Sequence, residues 1–101
     1  MRYPWPMAYF IVDYTYDTTR TAEQDAVRAD HRAFLGGLAE RGINVASGPW
    51  VDSAPGAHIV MRGESADEVL ALLDDDPFCR GGFVAERAIR QWNPVIGILA
   101  E

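Results

Sequence analysis

The chain has 101 residues, 49% of them apolar and 24% charged, with a formal net charge of −6. That is an ordinary globular balance with room for one domain, and a chain of this size buries only about two-thirds of its unfolded surface. An acidic surface argues against a nucleic-acid partner, which needs clustered Lys and Arg, and the nine basic residues are all Arg, a composition bias that leaves no lysine for Schiff-base chemistry.

Residues 7–16 form the first predicted strand. Tyr9, Phe10, Ile11, Val12 and Tyr14 make it apolar on both faces, which suits a central strand covered on both sides. Residues 21–41 follow as one predicted helix. Thr21 with Gln24 fits a capping box, and Val27, His31, Phe34, Leu35 and Leu38 recur at helical spacing as the buried stripe. Gly42 suits the residue just past the helix end. Residues 43–50 read as the second strand, interrupted by Gly48-Pro49. Ala54-Pro55-Gly56 is a turn signal, and residues 57–62 are the third strand, paired with the second as a hairpin.

Residues 65–74 are the second helix, with Ser65 and Glu68 as its capping box and Ala66, Val69, Leu70 and Leu73 as its apolar face. Pro77 stops it and pushes Asp76 toward an extended conformation. Gly81-Gly82 gives a turn into the last long strand, residues 83–92, with Phe83, Ala85 and Ile89 on one face and Val84, Ala88 and Trp92 on the other. Residues 93–101 are a short apolar ending, an edge strand or an arm over a partner. The order is β-α-β-β-α-β plus a tail, the split βαβ or ferredoxin-like arrangement, α+β in class, with both helices on one face of an antiparallel sheet. The other face needs a cover, and a second copy of the chain is the simplest one, so a homodimer is expected.

Cys79 is the only cysteine, which excludes an intramolecular disulfide and a cysteine-based zinc site. No segment approaches the roughly 20 apolar residues of a membrane span, and no signal-peptide pattern opens the chain. A cytoplasmic protein with no membrane partner is the expectation.

Three groups of residues could carry chemistry. His31 lies on the apolar stripe of the first helix, where it is either a core histidine satisfied by one hydrogen bond or a general acid and base. Asp74-Asp75-Asp76-Pro77-Phe78 puts three carboxylates after a helix C-terminus, where the dipole disfavours each by about 0.3–1 kcal/mol. A solvated acidic turn accounts for Asp74 and Asp75; Asp76 differs because Pro77 fixes the chain direction there and Phe78 can anchor the loop. The third group is Ser47-Gly48-Pro49-Trp50, either a strand kink or the lip of a pocket for a polar ligand. Cys79 could line the same pocket or serve as apolar filler. Trp5, Trp50 and Trp92 could form a binding surface or lie buried. His58 is expected on the surface, and two histidines at unrelated spacing do not make a metal site.

Taken together, His31-Arg32-Ala33-Phe34-Leu35, Ser47-Gly48-Pro49 and Asp76-Pro77-Phe78 resemble the YciI-like, or YCII-related, family from about residue 7 to residue 92. The resemblance implies a dimeric α/β barrel related to muconolactone isomerases and small monooxygenases. It also implies a His and Asp pair, here His31 and Asp76. On the enzyme reading, Ser47, Gly48 and Pro49 shape the pocket for a small molecule, with Phe78 packing nearby as a further substrate-binding residue. Arg32 is not carried over as a family position, and Tyr3-Pro4-Trp5-Pro6 lies outside the match. The expected function is cofactor-free, metal-free proton transfer, of isomerase or lyase type, on a small aromatic or lactone metabolite. Its competitors are a non-catalytic binding or accessory module and, last, a haem-degrading or quinol-oxidising monooxygenase. In one unbroken helix from Thr21, His31 sits roughly 15 Å along the axis, so the segment after Asp76 must fold back for the pair to meet.

Overall fold

The computed structural model describes residues 7–100; Trp5, with the rest of residues 1–6, and residue 101 lie outside the described residues. The first strand, β1 (Ala8–Tyr16), buries Phe10, Val12, Tyr14 and Tyr16 at every second position, the period that sends alternate side chains to one face. It is a central strand. It pairs antiparallel with both β3 (Gly56–Gly63) and β4 (Val84–Trp92), while β2 (Asn44–Pro49) pairs antiparallel with β3, giving the order β2-β3-β1-β4. Helices α1 (Thr21–Ala26), α2 (Arg28–Glu40), α3 (Ala66–Leu73) and α4 (Pro77–Arg80) lie on one side of this sheet. Leu35 and Leu38 of α2 and Val69 and Leu73 of α3 meet the inward residues of β1 and β3 in one core. This is the expected ferredoxin-like α+β fold.

The long first helix is broken. Val27, at φ −109° and ψ 8°, separates α1 from α2, so His31 falls in the first turn of α2 and not deep within a single rod. The capping box expected at Thr21 does not form. Arg20 occupies the cap position without a side-chain cap bond. Its guanidinium instead reaches the carbonyls of Gly81 and Gly82, at 3.0 and 3.4 Å, and lies over the Phe83 ring. The other end of α2 follows expectation. Gly42 takes φ +75°, and the amides of Gly42 and Ile43 return to the carbonyls of Ala39 and Leu38, the paired bonds of a Schellman motif. The Ser65 hydroxyl caps α3 by accepting from the Glu68 amide at 3.1 Å.

Pro77 does more than stop a helix. Asp76 has ψ 127°, the extended geometry forced on a residue before proline. Pro77 itself opens the four-residue α4, at the position where a missing N–H is harmless.

Past β4, residues 93–100 form no strand; the chain turns at Gly97 and leaves Val95, Ile96 and Ile98 exposed. The sheet face away from the helices is also less apolar than β1 alone suggests. Asp13 sits opposite His58 there and the two side chains bond at 2.6 Å, while Arg62 bonds the Tyr9 hydroxyl at 2.7 Å. Trp50 and Trp92 remain about 40% exposed.

Gly56 begins β3 where any side chain would collide with the sheet, since a Cβ there would sit 2.2 Å from the Tyr14 carbonyl oxygen. Backbone cannot yield as a flexible side chain can. Gly56→Ala is expected to destabilise the protein by about 1–3 kcal/mol, measured as a lower urea midpoint at unchanged slope.

Candidate active site

Asp76 is fully buried, and its oxygens are occupied by three donors. Oδ1 accepts from His31 Nδ1 at 2.7 Å and from the Phe78 amide at 3.0 Å; Oδ2 accepts from the Tyr14 hydroxyl at 3.0 Å. The Phe78 contact is local. Pro77 has no N–H, so the first free amide of α4 is that of Phe78, and the residue before proline is placed to cap it. The other two contacts join elements far apart in sequence, a β1 tyrosine and an α2 histidine, on one carboxylate. An unpaired carboxylate at this depth would cost far more than these bonds return, so the three donors account for its burial.

A carboxylate accepts, so the short contact assigns the donor role to His31 Nδ1, and in that tautomer the lone pair falls on Nε2. The ring is clamped as well. Phe78 stacks on it at 3.7 Å between centroids and 6° between planes. His31 is 7% exposed. Its Nε2 has no protein partner among the described residues and is not among the sealed polar atoms.

What His31 faces is a cavity of about 480 Å³ between α2 and β2, within the size range of small-molecule sites. Ser47, Gly48 and Pro49 line it along β2. Gly48 has nothing within 4 Å of where a Cβ would stand, so its surface is open. Phe78, expected as a pocket residue, is sealed at 0% exposure and does not line the cavity; it backs the imidazole. Cys79 does not line it either. Its thiol donates to the Tyr14 hydroxyl at 3.3 Å, on the far side of the carboxylate. Asp74 and Asp75 behave as a solvated turn, paired at 2.8 Å with Arg87 and Arg80 respectively.

The cavity also holds Tyr16, Arg28 and Asn44, which the sequence pattern did not single out, and Arg32, which it set aside. Arg28 and Arg32 are four apart on α2 and flank His31, a spacing that places them on one side of a helix. The Asn44 amide donates to the Leu35 carbonyl at 3.2 Å and to the Ser47 hydroxyl at 3.0 Å. That leaves the Ser47 proton free for a ligand.

Burial raises the pKa of both tyrosine hydroxyls. Tyr14 is pushed far above its ordinary value by burial, with its Cys79 hydrogen bond and the nearby Asp76 charge adding to the effect, so it stays a donor to the carboxylate. Burial and then Asp76 push Tyr16 up to about 12. A phenol that ionises later in the folded than in the unfolded chain supports stability below its unfolded value of 10.0, and that support is lost as pH climbs toward the folded value. Stability is therefore expected to fall from pH 10 upward, more gently in Tyr16→Phe, as followed by thermal unfolding across alkaline buffers.

Chemically, an imidazole oriented by a buried carboxylate, with its free nitrogen at a cavity wall, can take a proton from a bound molecule and return it. The sequence says where this arrangement belongs. Residues 7–93 match the model of the YCII-related domain, and the chain belongs to that family. Among solved structures, the fold is similar to that of 5-chloro-2-hydroxyhydroquinone dehydrochlorinase (TftG) from Burkholderia phenoliruptrix AC1100, solved in complex with 2,5-dihydroxybenzoquinone. The TM-score is 0.74 at 22% identity, covering 84% of this chain and 93% of that one. At that identity the likeness speaks for the fold. No curated protein matches the chain. Among the described residues, no helix is long and apolar enough to cross a membrane.

Proposed function

We propose that the chain is a small-molecule enzyme that moves protons with His31 and Asp76, in an elimination or isomerisation of lyase or isomerase type on a cyclic, oxygen-substituted metabolite. The observation that carries this reading is the 2.7 Å contact between His31 Nδ1 and a carboxylate with no solvent exposure, with Nε2 left at the wall of the cavity. A core histidine needs no such carboxylate, and a purely structural ion pair has no reason to border a cavity.

In an elimination, Nε2 takes a proton from a ring hydroxyl or an acidic carbon. The electron pair left behind forms a new double bond, and a leaving group departs with the electrons of its own bond. The imidazolium, stabilised by Asp76, then returns the proton to product or water. Protons, electrons and leaving group balance without an external oxidant or reductant. The similar structure comes from a dehydrochlorinase of a chlorinated hydroxyhydroquinone, and loss of HCl is such an elimination. Chlorinated hydroxyhydroquinones are therefore the first compounds to test for chloride release. Release that disappears in His31→Asn supports the reading. Binding of such rings with no turnover by the unaltered protein would instead make this a non-catalytic binding module.

A second copy of the chain is the proposed cover for the open sheet face, where Trp50 and Trp92 are half-exposed. Sedimentation at micromolar concentration is expected to give twice the 11.2 kDa chain mass; a monomer there rules this out.

A further inference from the structure

We propose that the cavity selects small organic anions, with the negative oxygen of the ligand held by Arg32 and Arg28 beside His31. This rests on the proton-transfer reading for what happens next, but not for the binding itself. The chain carries a net charge of −6, yet no aspartate or glutamate lines this cavity, and both of its charged lining residues are arginines. Asp76 is hidden behind the imidazole. A cationic recess in an acidic molecule is not what its average composition delivers. Low-dielectric walls focus such a field onto whatever enters.

The two arginines are not equally occupied. Arg28 is held by Asp25 at 2.9 Å and lies over the Phe78 ring. Arg32 has no carboxylate partner among the described residues and stands exposed at the cavity edge. Its guanidinium has five donors and no acceptor. The remaining polar groups agree. Ser47 accepts from Asn44 and so has its proton to donate. The Tyr16 hydroxyl, on the cavity wall, has no partner among the described residues. Donors from Arg32, Ser47 and Tyr16 beside one imidazole nitrogen fit a ligand that brings acceptor oxygens. Ionised hydroxyquinones, enolates and ring carboxylates bring such oxygens with their charge; a hydroquinone acquires the charge only when a ring hydroxyl has given up its proton, as it does in the elimination above. Charge-assisted, two-pronged bonds from Arg are the natural match for such an oxyanion.

The test is equilibrium binding of 2,5-dihydroxybenzoquinone, which is ionised at neutral pH, and of benzoate and salicylate, each against hydroquinone as the neutral probe, at low and high salt. The account expects an anion preference that weakens as salt rises. In Arg32→Gln it expects a loss of about tenfold or more in anion affinity, an unchanged thermal midpoint and a flattened salt dependence. Arg41→Gln, which removes an equal charge at the far end of α2, should bind as the unaltered protein does. Equal affinity for neutral and anionic probes, unchanged binding in Arg32→Gln, or no binding of any anion at millimolar concentration would each overturn the proposal. His31→Asn separates the two ideas. If it abolishes turnover while Arg32→Gln leaves anion affinity alone, the proton-transfer reading stands and the anion preference falls. If it binds anions as tightly as the unaltered protein and no turnover is found in either, the reverse holds.

Discussion

His31→Asn is expected to reduce turnover by about 10²–10⁴-fold, the usual contribution of a positioned general acid or base, while leaving the protein folded. The side chain is short enough for the site, and its amide can still donate toward Asp76. What is lost is the imidazole Nε2 at the cavity wall. Because binding depends on Arg32, Arg28 and Ser47, the variant should keep its affinity for ring anions, so the effect falls on kcat and not on KM. Circular dichroism and the thermal midpoint confirm that the fold is kept. A variant with full activity on a substrate that the unaltered protein turns over would remove the imidazole from the mechanism.

The second large effect is on stability. Asp76→Ala strands three donors at once: the Tyr14 hydroxyl, the Phe78 amide and His31 Nδ1. Each loses its partner in a buried setting, and breaking a buried charged network of this kind costs about 3–5 kcal/mol. For a domain of this length, that lowers Tm by more than about 10 °C. Asp76→Asn should cost much less. Its carbonyl oxygen can accept from His31 and Phe78, and its amide can donate to Tyr14. Yet it removes the charge that stabilises the imidazolium, so its turnover should fall with far less change in Tm. Similar Tm values for the Ala and Asn variants, both near that of the unaltered protein, would mean that the three bonds hold little together.

Much of this was legible along the chain because the signals were local. Alternating burial in β1, the Ser65 cap of α3 and the Gly42 stop after α2 each follow from residues within a few positions of one another. Asp76 could be separated from Asp74 and Asp75 for the same kind of reason, since only the residue before Pro77 is forced extended. Where expectation failed, the deciding contact was distant. The missing cap at Thr21 goes with Arg20, whose side chain is taken up by Gly81, Gly82 and Phe83, some 60 residues on. Phe78 and Cys79 looked like pocket residues because they follow Asp76 in sequence. The turn of α4 sends Phe78 beneath the imidazole and Cys79 to the Tyr14 hydroxyl. Tyr14 could not be assigned to the carboxylate without the strand register. Arg28 and Arg32 were within reach of the sequence: two arginines four apart, bracketing a histidine on one helix, is a pattern that helical spacing alone exposes.

The most direct measurement is nitrogen NMR of the His31 imidazole, on the alkaline side of neutrality, before and after adding 2,5-dihydroxybenzoquinone. The account expects a proton fixed on Nδ1 and shifted downfield by the Asp76 bond, with an unprotonated Nε2 whose resonance moves when the ring anion enters the cavity. A proton resident on Nε2, or an Nε2 signal indifferent to a bound ligand, would contradict it.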